Sequence, residues 1–263
     1  WLLAVPDLQV TFKNVVFKNY TDAVFDVGTD TNIVFGDGVH LEIAAAQTMQ
    51  RGWIFSGSTE VFGHATQLTI EPLGSLFVLP GGYLTLHNLK IDGLKANNVR
   101  CSGDTATLAF KQCDLCLSHN FSFTSGSIEF FQEVRMTGTN RFTYESDATS
   151  VVAPCSRLFL DNTTFVYAPN TENRDLFMLF DKTSELYLDG STLESTTTGL
   201  RLTTGTLIAE NKNFLVNDGA VGLSEGFAFG NQEVNGDLNI IIKPGATLQL
   251  LSGVLDYQNM DTP

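Results

Sequence analysis

The stretch Leu84-Thr-Leu-His-Asn-Leu-Lys-Ile91 decides the fold of this chain, because its form recurs from one end of the sequence to the other. Two alternating apolar residues are followed by a polar spacer, an amide and a second alternating apolar pair. The same form occurs in Val10-Thr-Phe-Lys-Asn-Val-Val-Phe17 and in Leu158-Phe-Leu-Asp-Asn-Thr-Thr-Phe165. Degenerate copies begin at Leu108, Leu186, Leu207 and Leu248.

The copies between Leu84 and Leu207 follow one another at similar intervals, once the alternating stretch Ile128-Glu-Phe130 is counted. Self-similarity at a period of roughly 20–30 residues indicates a repeat architecture. Alternation within each copy is typical of β-strands, and a bend at Asn88 keeps both apolar pairs on one side. The sequence therefore predicts an all-β fold, a parallel β-solenoid of about ten coils forming a single domain over residues 1–263. Its 20 Phe residues suit an interior in which rings stack between neighbouring coils.

The amide is the recurrent polar position of the unit. Asn14, Asn88, Asn162 and Asn211 hold the same place in their copies, and Gln112 is a near match. Stacked inward amides hydrogen-bond along the axis and satisfy buried polar groups, so a structural asparagine ladder is predicted. The alternative is that asparagine serves here only as a common turn residue.

This pattern resembles the single-stranded, right-handed parallel β-helix of the pectin-lyase-like superfamily, and the resemblance covers essentially the whole chain. It implies the fold but not one function, because that fold carries lyases, hydrolases, adhesins and surface proteins. The Trp-x-Asp-His and Arg-x-Pro-x-x-Arg signatures of the lyases are absent, as is the Asp-Asp pair of the hydrolases. A non-enzymatic surface or adhesin-type member is expected, without catalytic, cofactor-binding or metal-binding residues.

Asp92 and Asp114, about one repeat apart, are the carboxylates best spaced to meet on neighbouring coils. Stacked like charges of this kind are more often exposed turn residues than a catalytic pair. The four histidines, His40, His64, His87 and His119, show no spacing typical of metal ligands.

Charge and hydropathy argue against other classes of function. The net charge of −14 opposes binding to nucleic acid or to an anionic membrane surface. No apolar run approaches the roughly 18 residues of a membrane-spanning helix. The sequence starts at Trp1 without a methionine, which indicates a processed form or a fragment from which any signal peptide has gone. Secretion to the extracellular space or the cell surface is expected.

The cysteines Cys101, Cys113, Cys116 and Cys155 lie in one central segment. One or two disulfides, or free thiols packed in the core, both fit this arrangement. Zinc binding through the CxxC of Cys113 and Cys116 is less favoured, because that motif lies inside a strand copy rather than in a knuckle.

Repeat units run close to both ends of the sequence, and no amphipathic capping helix is predicted there. Open solenoid ends of compatible cross-section pair head to tail and build filaments. The leading hypothesis is a secreted structural protein that assembles end to end with copies of itself into a filament, sheath or surface layer. Assembly contacts are expected at Trp1, Leu2, Leu3, Val5, Leu255 and Tyr257. Alternatively, the ends are open because the chain is a fragment cut from a longer β-helix.

The second hypothesis is an adhesin or passenger domain that binds glycans or host surfaces through lateral loops at residues 137–149 and 167–175. A polysaccharide lyase or hydrolase is the third hypothesis, and it rests on fold analogy alone.

Overall fold

The computed structural model shows a parallel β-solenoid of about nine turns, close to the ten expected. It describes residues 2–3, 9–22, 26–27, 32–71, 73–95, 97–196, 199–218, 226–230 and 238–258. The secondary-structure elements within these ranges are β-strands, and neighbouring strands pair in parallel. The predicted fold class is confirmed.

The strands, in chain order, are β1 (Leu2–Leu3), β2 (Gln9–Phe12), β3 (Val16–Phe17), β4 (Asp26–Val27), β5 (Asn32–Phe35), β6 (Val39–Ile43), β7 (Gln47–Thr48), β8 (Gly52–Phe55), β9 (Ser58–Thr69), β10 (Ser75–Val78), β11 (Tyr83–Asp92), β12 (Val99–Cys101), β13 (Thr107–Lys111), β14 (Asp114–Cys116), β15 (Phe121–Phe123), β16 (Ser127–Phe131), β17 (Glu133–Thr137), β18 (Arg141–Tyr144), β19 (Ser150–Val152), β20 (Arg157–Asp161), β21 (Thr164–Tyr167), β22 (Phe177–Leu179), β23 (Glu185–Asp189), β24 (Thr192–Ser195), β25 (Arg201–Leu202), β26 (Gly205–Glu210), β27 (Lys212–Asn217), β28 (Gly226–Phe229), β29 (Leu238–Ile242), β30 (Thr247–Ser252) and β31 (Val254–Tyr257).

Each turn of the solenoid passes three faces. The first face holds β2, β5, β8, β10 and β12, followed by β15, β18, β21, β24, β27 and β30. The second holds β3, β6, β13, β16, β19 and β22 with the first halves of β9 and β11, and then β25, β28 and β31. The third holds β7, β14, β17, β20, β23, β26 and β29 with the second halves of β9 and β11.

Paired residues on adjacent coils agree with the repeat interval expected from the sequence. Tyr83 pairs with Thr107 on one pair of coils, and Arg157 pairs with Glu185 on another, where the coil is longer. Coil length therefore varies while the strands stay in register, because the variation is absorbed at the corners and in the loops.

The stretch 84–91 lies in β11, which crosses the corner between the second and third faces. Its backbone is left-handed at Asn88, with a φ of 53°, and the pairing with β9 shifts register between His87 and Leu89. This bend resets the alternation, so that apolar residues on both sides of it point inward. The inward set is fully buried, as predicted: Leu84, Leu86, Leu89 and Ile91.

The prediction that four asparagines form one inward ladder is wrong. Asn14 lies between the first and second faces, Asn88 between the second and third, and Asn162 and Asn211 between the third and first. Their side chains are exposed or half-buried, and their φ angles lie between 52° and 60°. All three corners need the same left-handed turn, which asparagine adopts more readily than most residues. The repeated unit is therefore a corner motif, and asparagine acts in it as a turn residue.

A different set of polar side chains forms a buried ladder. Thr163, Ser191 and Asn213 follow the corner between the third and first faces on consecutive coils, and all three are buried. The Thr163 N–H donates to Ser191 Oγ at 3.1 Å, and the Ser191 N–H donates to Asn213 Oδ1 at 2.9 Å. The three residue types differ, so no repeated letter marks this column in the sequence.

Aromatic rings stack along the interior, as predicted. The ring centroids of Phe142 and Phe165 lie 5.5 Å apart with an interplanar angle of 8°. Those of Phe110 and Phe130 lie 6.1 Å apart at 15°. Each fully buried side chain of this size contributes about 1.5–3 kcal/mol, so stacked columns of this kind hold neighbouring coils together.

Candidate functional site

The coil formed by β29, β30 and β31 leaves one edge of each of its three sheets unpaired within the described part of the chain. Its inward side chains continue columns whose preceding members are buried: Ile242 follows Ala209, Leu250 follows Leu215, Leu255 follows Phe227, and Tyr257 follows Phe229. Leu250 and Leu255 are nevertheless 37% exposed, and Tyr257 is 47% exposed. These side chains point toward the core axis of the solenoid, and they are exposed because no described strand stacks on them.

The opposite end of the described column presents a similar surface on the first two faces. Its inward side chains are only half-buried although their neighbours on the next coil are buried: Val10 precedes Ile33, Phe12 precedes Phe35, and Phe17 precedes Leu41. Because a parallel ladder can be extended at either edge, the edges that stay unpaired among the described strands offer backbone hydrogen-bonding groups as well as apolar side chains.

Two of the predicted assembly contacts, Leu255 and Tyr257, thus lie in the exposed terminal coil. Trp1 and Val5 lie outside the described residues. For Leu2 and Leu3 only the backbone is described, and it pairs in parallel with β4. End-to-end contact between copies stays a prediction.

All four cysteines are free thiols in this structure, so the disulfide alternative is not realised. Cys101 and Cys113 are buried, and burial raises the pKa of Cys101 to about 12 and that of Cys113 to about 11. Cys116 and Cys155 are exposed. The CxxC cannot close on one ion, because Cys113 points inward and Cys116 points outward. Within the described ranges, no group of side chains is arranged to hold a metal.

Three of the four histidines meet on the outer side of the second face. The two carboxylate oxygens of Glu60 contact His87 Nδ1 at 2.8 Å and His40 Nδ1 at 3.1 Å. The rings of His40, His64 and His87 all pack against Phe62. Linear spacing gave no reason to group these histidines, but each follows the last by about one coil of the chain. Their spacing of about one coil is the sequence signal from which this cluster could have been predicted.

A shallow cavity of about 520 Å³ adjoins this cluster. Its lining combines charged, hydroxyl and aromatic side chains from five consecutive coils, among them His40, Glu60, Tyr83, Thr85, Lys111 and Phe131. The phenol of Tyr83 donates to Glu129 Oε2 at 2.5 Å. Burial and the neighbouring carboxylate raise the pKa of Tyr83 above its usual range, so this hydroxyl stays protonated as a donor.

The third face carries an apolar strip on its outer side. Phe159, Tyr187 and Ile208 form a buried cluster there, and the first two rings stack at 4.4 Å. The guanidinium of Arg135 lies 4.1 Å from the Phe159 centroid, and the ammonium of Lys243 lies 4.8 Å from that of Tyr187. These cations cover the rings, so the strip stabilises neighbouring coils and is not an open binding surface.

The two carboxylates considered as a possible catalytic pair do not meet, in line with the favoured interpretation of separate turn residues. Asp92 is level with Cys116, and Asp114 is level with Lys90, so the two aspartates are offset along adjacent strands. The offset arises because the coil between them is longer than the separation of the two aspartates in the sequence. Asp92 and Asp114 therefore do not form a catalytic site of the kind that a hydrolase or lyase requires.

The two predicted lateral loops, residues 137–149 and 167–175, contain some strand structure and are hydrogen-bonded to each other. Residues 141–144 of the first loop form β18. The Asn170 N–H donates to Asp147 Oδ1 at 3.1 Å, which joins the two loops. The Tyr167 hydroxyl donates to the Asn173 carbonyl at 2.6 Å. Polar atoms of these loops therefore serve to order the loops themselves.

Comparison with known protein families, with curated proteins and with solved structures finds no match for this chain. Across the described ranges, no helix has the length and apolar character that crossing a bilayer requires.

Proposed function

We propose that this chain is a structural β-solenoid that stacks end to end with copies of itself into an extracellular filament, sheath or surface layer. The observation that carries the proposal is the terminal coil, β29 to β31, whose inward apolar side chains are exposed although each continues a buried core column. A further coil stacked on this one buries them as their counterparts are buried.

The energy available from such stacking is substantial. Fully burying a large aliphatic side chain contributes about 1.5–3 kcal/mol, so each one-third to one-half exposed side chain leaves roughly 1 kcal/mol unrealised. Ile242, Leu250, Leu255 and Tyr257 all belong to this group. Backbone pairing along the first and second faces, where both ends have described edge strands, adds direction and register to the contact.

A second copy is the occupant that we favour, because the two ends differ in charge and match in form. Residues 9–18 at the first end carry Lys13 and Lys18 and no acidic residue, in a chain of net charge −14. The terminal coil at the other end, residues 238–258, carries Asp256 and a single basic residue, Lys243, which is paired with Glu210. The contact is heterologous, since two different ends meet, and heterologous contacts that do not close into a ring build filaments.

Sedimentation velocity and electron microscopy test this proposal. The unchanged chain is expected to form rods that lengthen as its concentration rises. Leu255→Lys places a charge in the junction and is expected to leave short, uniform rods. Phe180→Lys is the matched control, because Phe180 is 59% exposed but lies on the side of the column, and it is expected to assemble normally. Short, monodisperse rods of the unchanged chain at every concentration remove the proposal.

Secretion or display at the cell surface, and a place among non-enzymatic members of the pectin-lyase-like superfamily, form part of the same proposal. The parallel solenoid supports the β-helix fold of this proposal. Secretion and superfamily membership are part of what is proposed. An adhesin that uses the lateral loops is less favoured, because polar atoms of those loops are bonded to one another.

A further inference from the structure

We propose that the outer side of the second face binds an uncharged oligosaccharide in the cavity of about 520 Å³. This volume lies within the range of about 300–1,000 Å³ that is usual for small-molecule sites. The cavity lies on the side of the column, so the proposal is independent of end-to-end assembly.

The cavity follows from one outward column of the second face. Glu60, Thr85, Ala109 and Glu129 are in register on four consecutive coils. Thr85 is the short side chain of this column that lines the depression, next to the longer Glu60, whereas Ala109 on the following coil is fully buried and does not line it. The concavity is a consequence of side-chain length on a flat parallel sheet, and it needs no loop to form it.

The polar groups beside this depression are held in place before any ligand arrives. Both oxygens of Glu60 are fixed, one by His87 and the other by His40. Tyr83 is fixed by its hydrogen bond to Glu129, which spans the intervening coil. Groups that are already ordered lose little conformational freedom on binding, which favours affinity.

The lining chemistry selects the class of ligand. Glu60 offers acceptor lone pairs, Lys111 offers donors, and Phe131 offers an apolar surface. A saccharide presents hydroxyl groups at its rim and C–H groups on its ring faces, and it matches this mixture. Glu60 and Lys111 balance each other in the lining, so it is the net charge of −14 that disfavours a polyanion, whereas a wholly apolar ligand would leave charged groups without partners.

The test uses a panel of neutral tetrasaccharides built from glucose, mannose or N-acetylglucosamine units, with binding followed by saturation-transfer NMR. At least one is expected to bind the unchanged chain. Thr85→Trp fills the depression and is expected to abolish binding. Met178→Trp is the matched control, because Met178 occupies the same outward column beyond the cavity, and it is expected to bind normally. Phe131→Ala is expected to weaken binding roughly tenfold.

Three outcomes overturn the proposal: no member of the panel binds at millimolar concentration, Thr85→Trp and Met178→Trp bind alike, or an acidic tetrasaccharide binds more tightly than every neutral one. Circular dichroism checks that each variant is folded. Leu255→Lys is expected to bind the oligosaccharide like the unchanged chain, so a failure of assembly and a failure of this site are distinguishable.

Discussion

The middle coils and the terminal coil share one pattern of side chains and differ in burial. Leu193 on β24, Leu215 on β27 and Leu250 on β30 form a single column through three consecutive coils. Leu193 and Leu215 are buried, whereas Leu250 is 37% exposed. The three side chains point the same way from strands of the same face. Burial in this fold is therefore conferred by the next coil and not by the strand itself.

The largest expected effect comes from truncating this column in the middle. Leu193→Ala leaves a cavity between two coils and is expected to cost about 2–5 kcal/mol. Leu250→Ala removes a side chain that only one coil covers, and in dilute solution it is expected to cost roughly 1 kcal/mol. Urea denaturation at low protein concentration measures both. Equal losses at the two positions contradict the comparison.

Asn213 and Asn211 lie at the same corner, and the first side chain is buried whereas the second is exposed. Asn213→Ala leaves the buried Ser191 N–H without its acceptor and is expected to cost about 1–3 kcal/mol. Asn211→Gly, at the neighbouring corner position, keeps the left-handed turn and is expected to change stability by less than about 0.5 kcal/mol. Thermal unfolding of both variants checks the difference, and a reversed order would restore the inward asparagine ladder.

A buried thiol makes the middle coils sensitive to alkali. Burial raises the pKa of Cys101 to about 12, so the folded chain keeps this proton at pH values where the unfolded chain loses it. Its contribution to stability is complete below about pH 9 and falls as the pH rises toward 12, by on the order of 1 kcal/mol at about pH 10.

Cys101→Ala is expected to reduce that fall, measured as the change in urea midpoint between neutral and alkaline solution relative to the unchanged chain. The change in urea midpoint is taken within each variant. The stability lost with the packing of the thiol is the same at both pH values and therefore cancels. Identical pH profiles for the two chains contradict this account.

The smallest expected effect concerns the strip outside the third face. Arg135→Ala uncovers the Phe159 ring and is expected to cost about 0.5–1 kcal/mol. Arg100→Ala, at an exposed position on the first face, is the control and is expected to change little. Urea midpoints decide between them, and equal effects mean that the cation does not stabilise the strip.

Local alternation made much of this fold predictable from the sequence. The inward residues of the stretch 84–91 and the bend at Asn88 follow from apolar spacing within that stretch, which depends on no distant partner. The asparagine ladder was misplaced because one corner motif serves three corners, and a linear pattern does not say which corner a copy occupies.

Which residues meet on neighbouring coils depends on the lengths of the loops between them. The sequence alone does not give these lengths, so such contacts could not be predicted. Asp92 and Asp114 are about one repeat apart in the sequence, but Asp92 is level with Cys116, so the pair is offset. The cluster around Phe62 joins histidines from three coils and was missed for the same reason. The exposure of Leu250 is also invisible in the sequence, because the same residue type at an equivalent position is buried one coil earlier.

Amide hydrogen exchange of the whole chain, followed by mass spectrometry at increasing protein concentration, tests the central claim most directly. If a second copy supplies the next coil, peptides covering β30 and β31 gain protection as concentration rises, while those covering β20 and β23 stay protected throughout. Exchange in β30 and β31 that stays fast and independent of concentration would contradict end-to-end stacking.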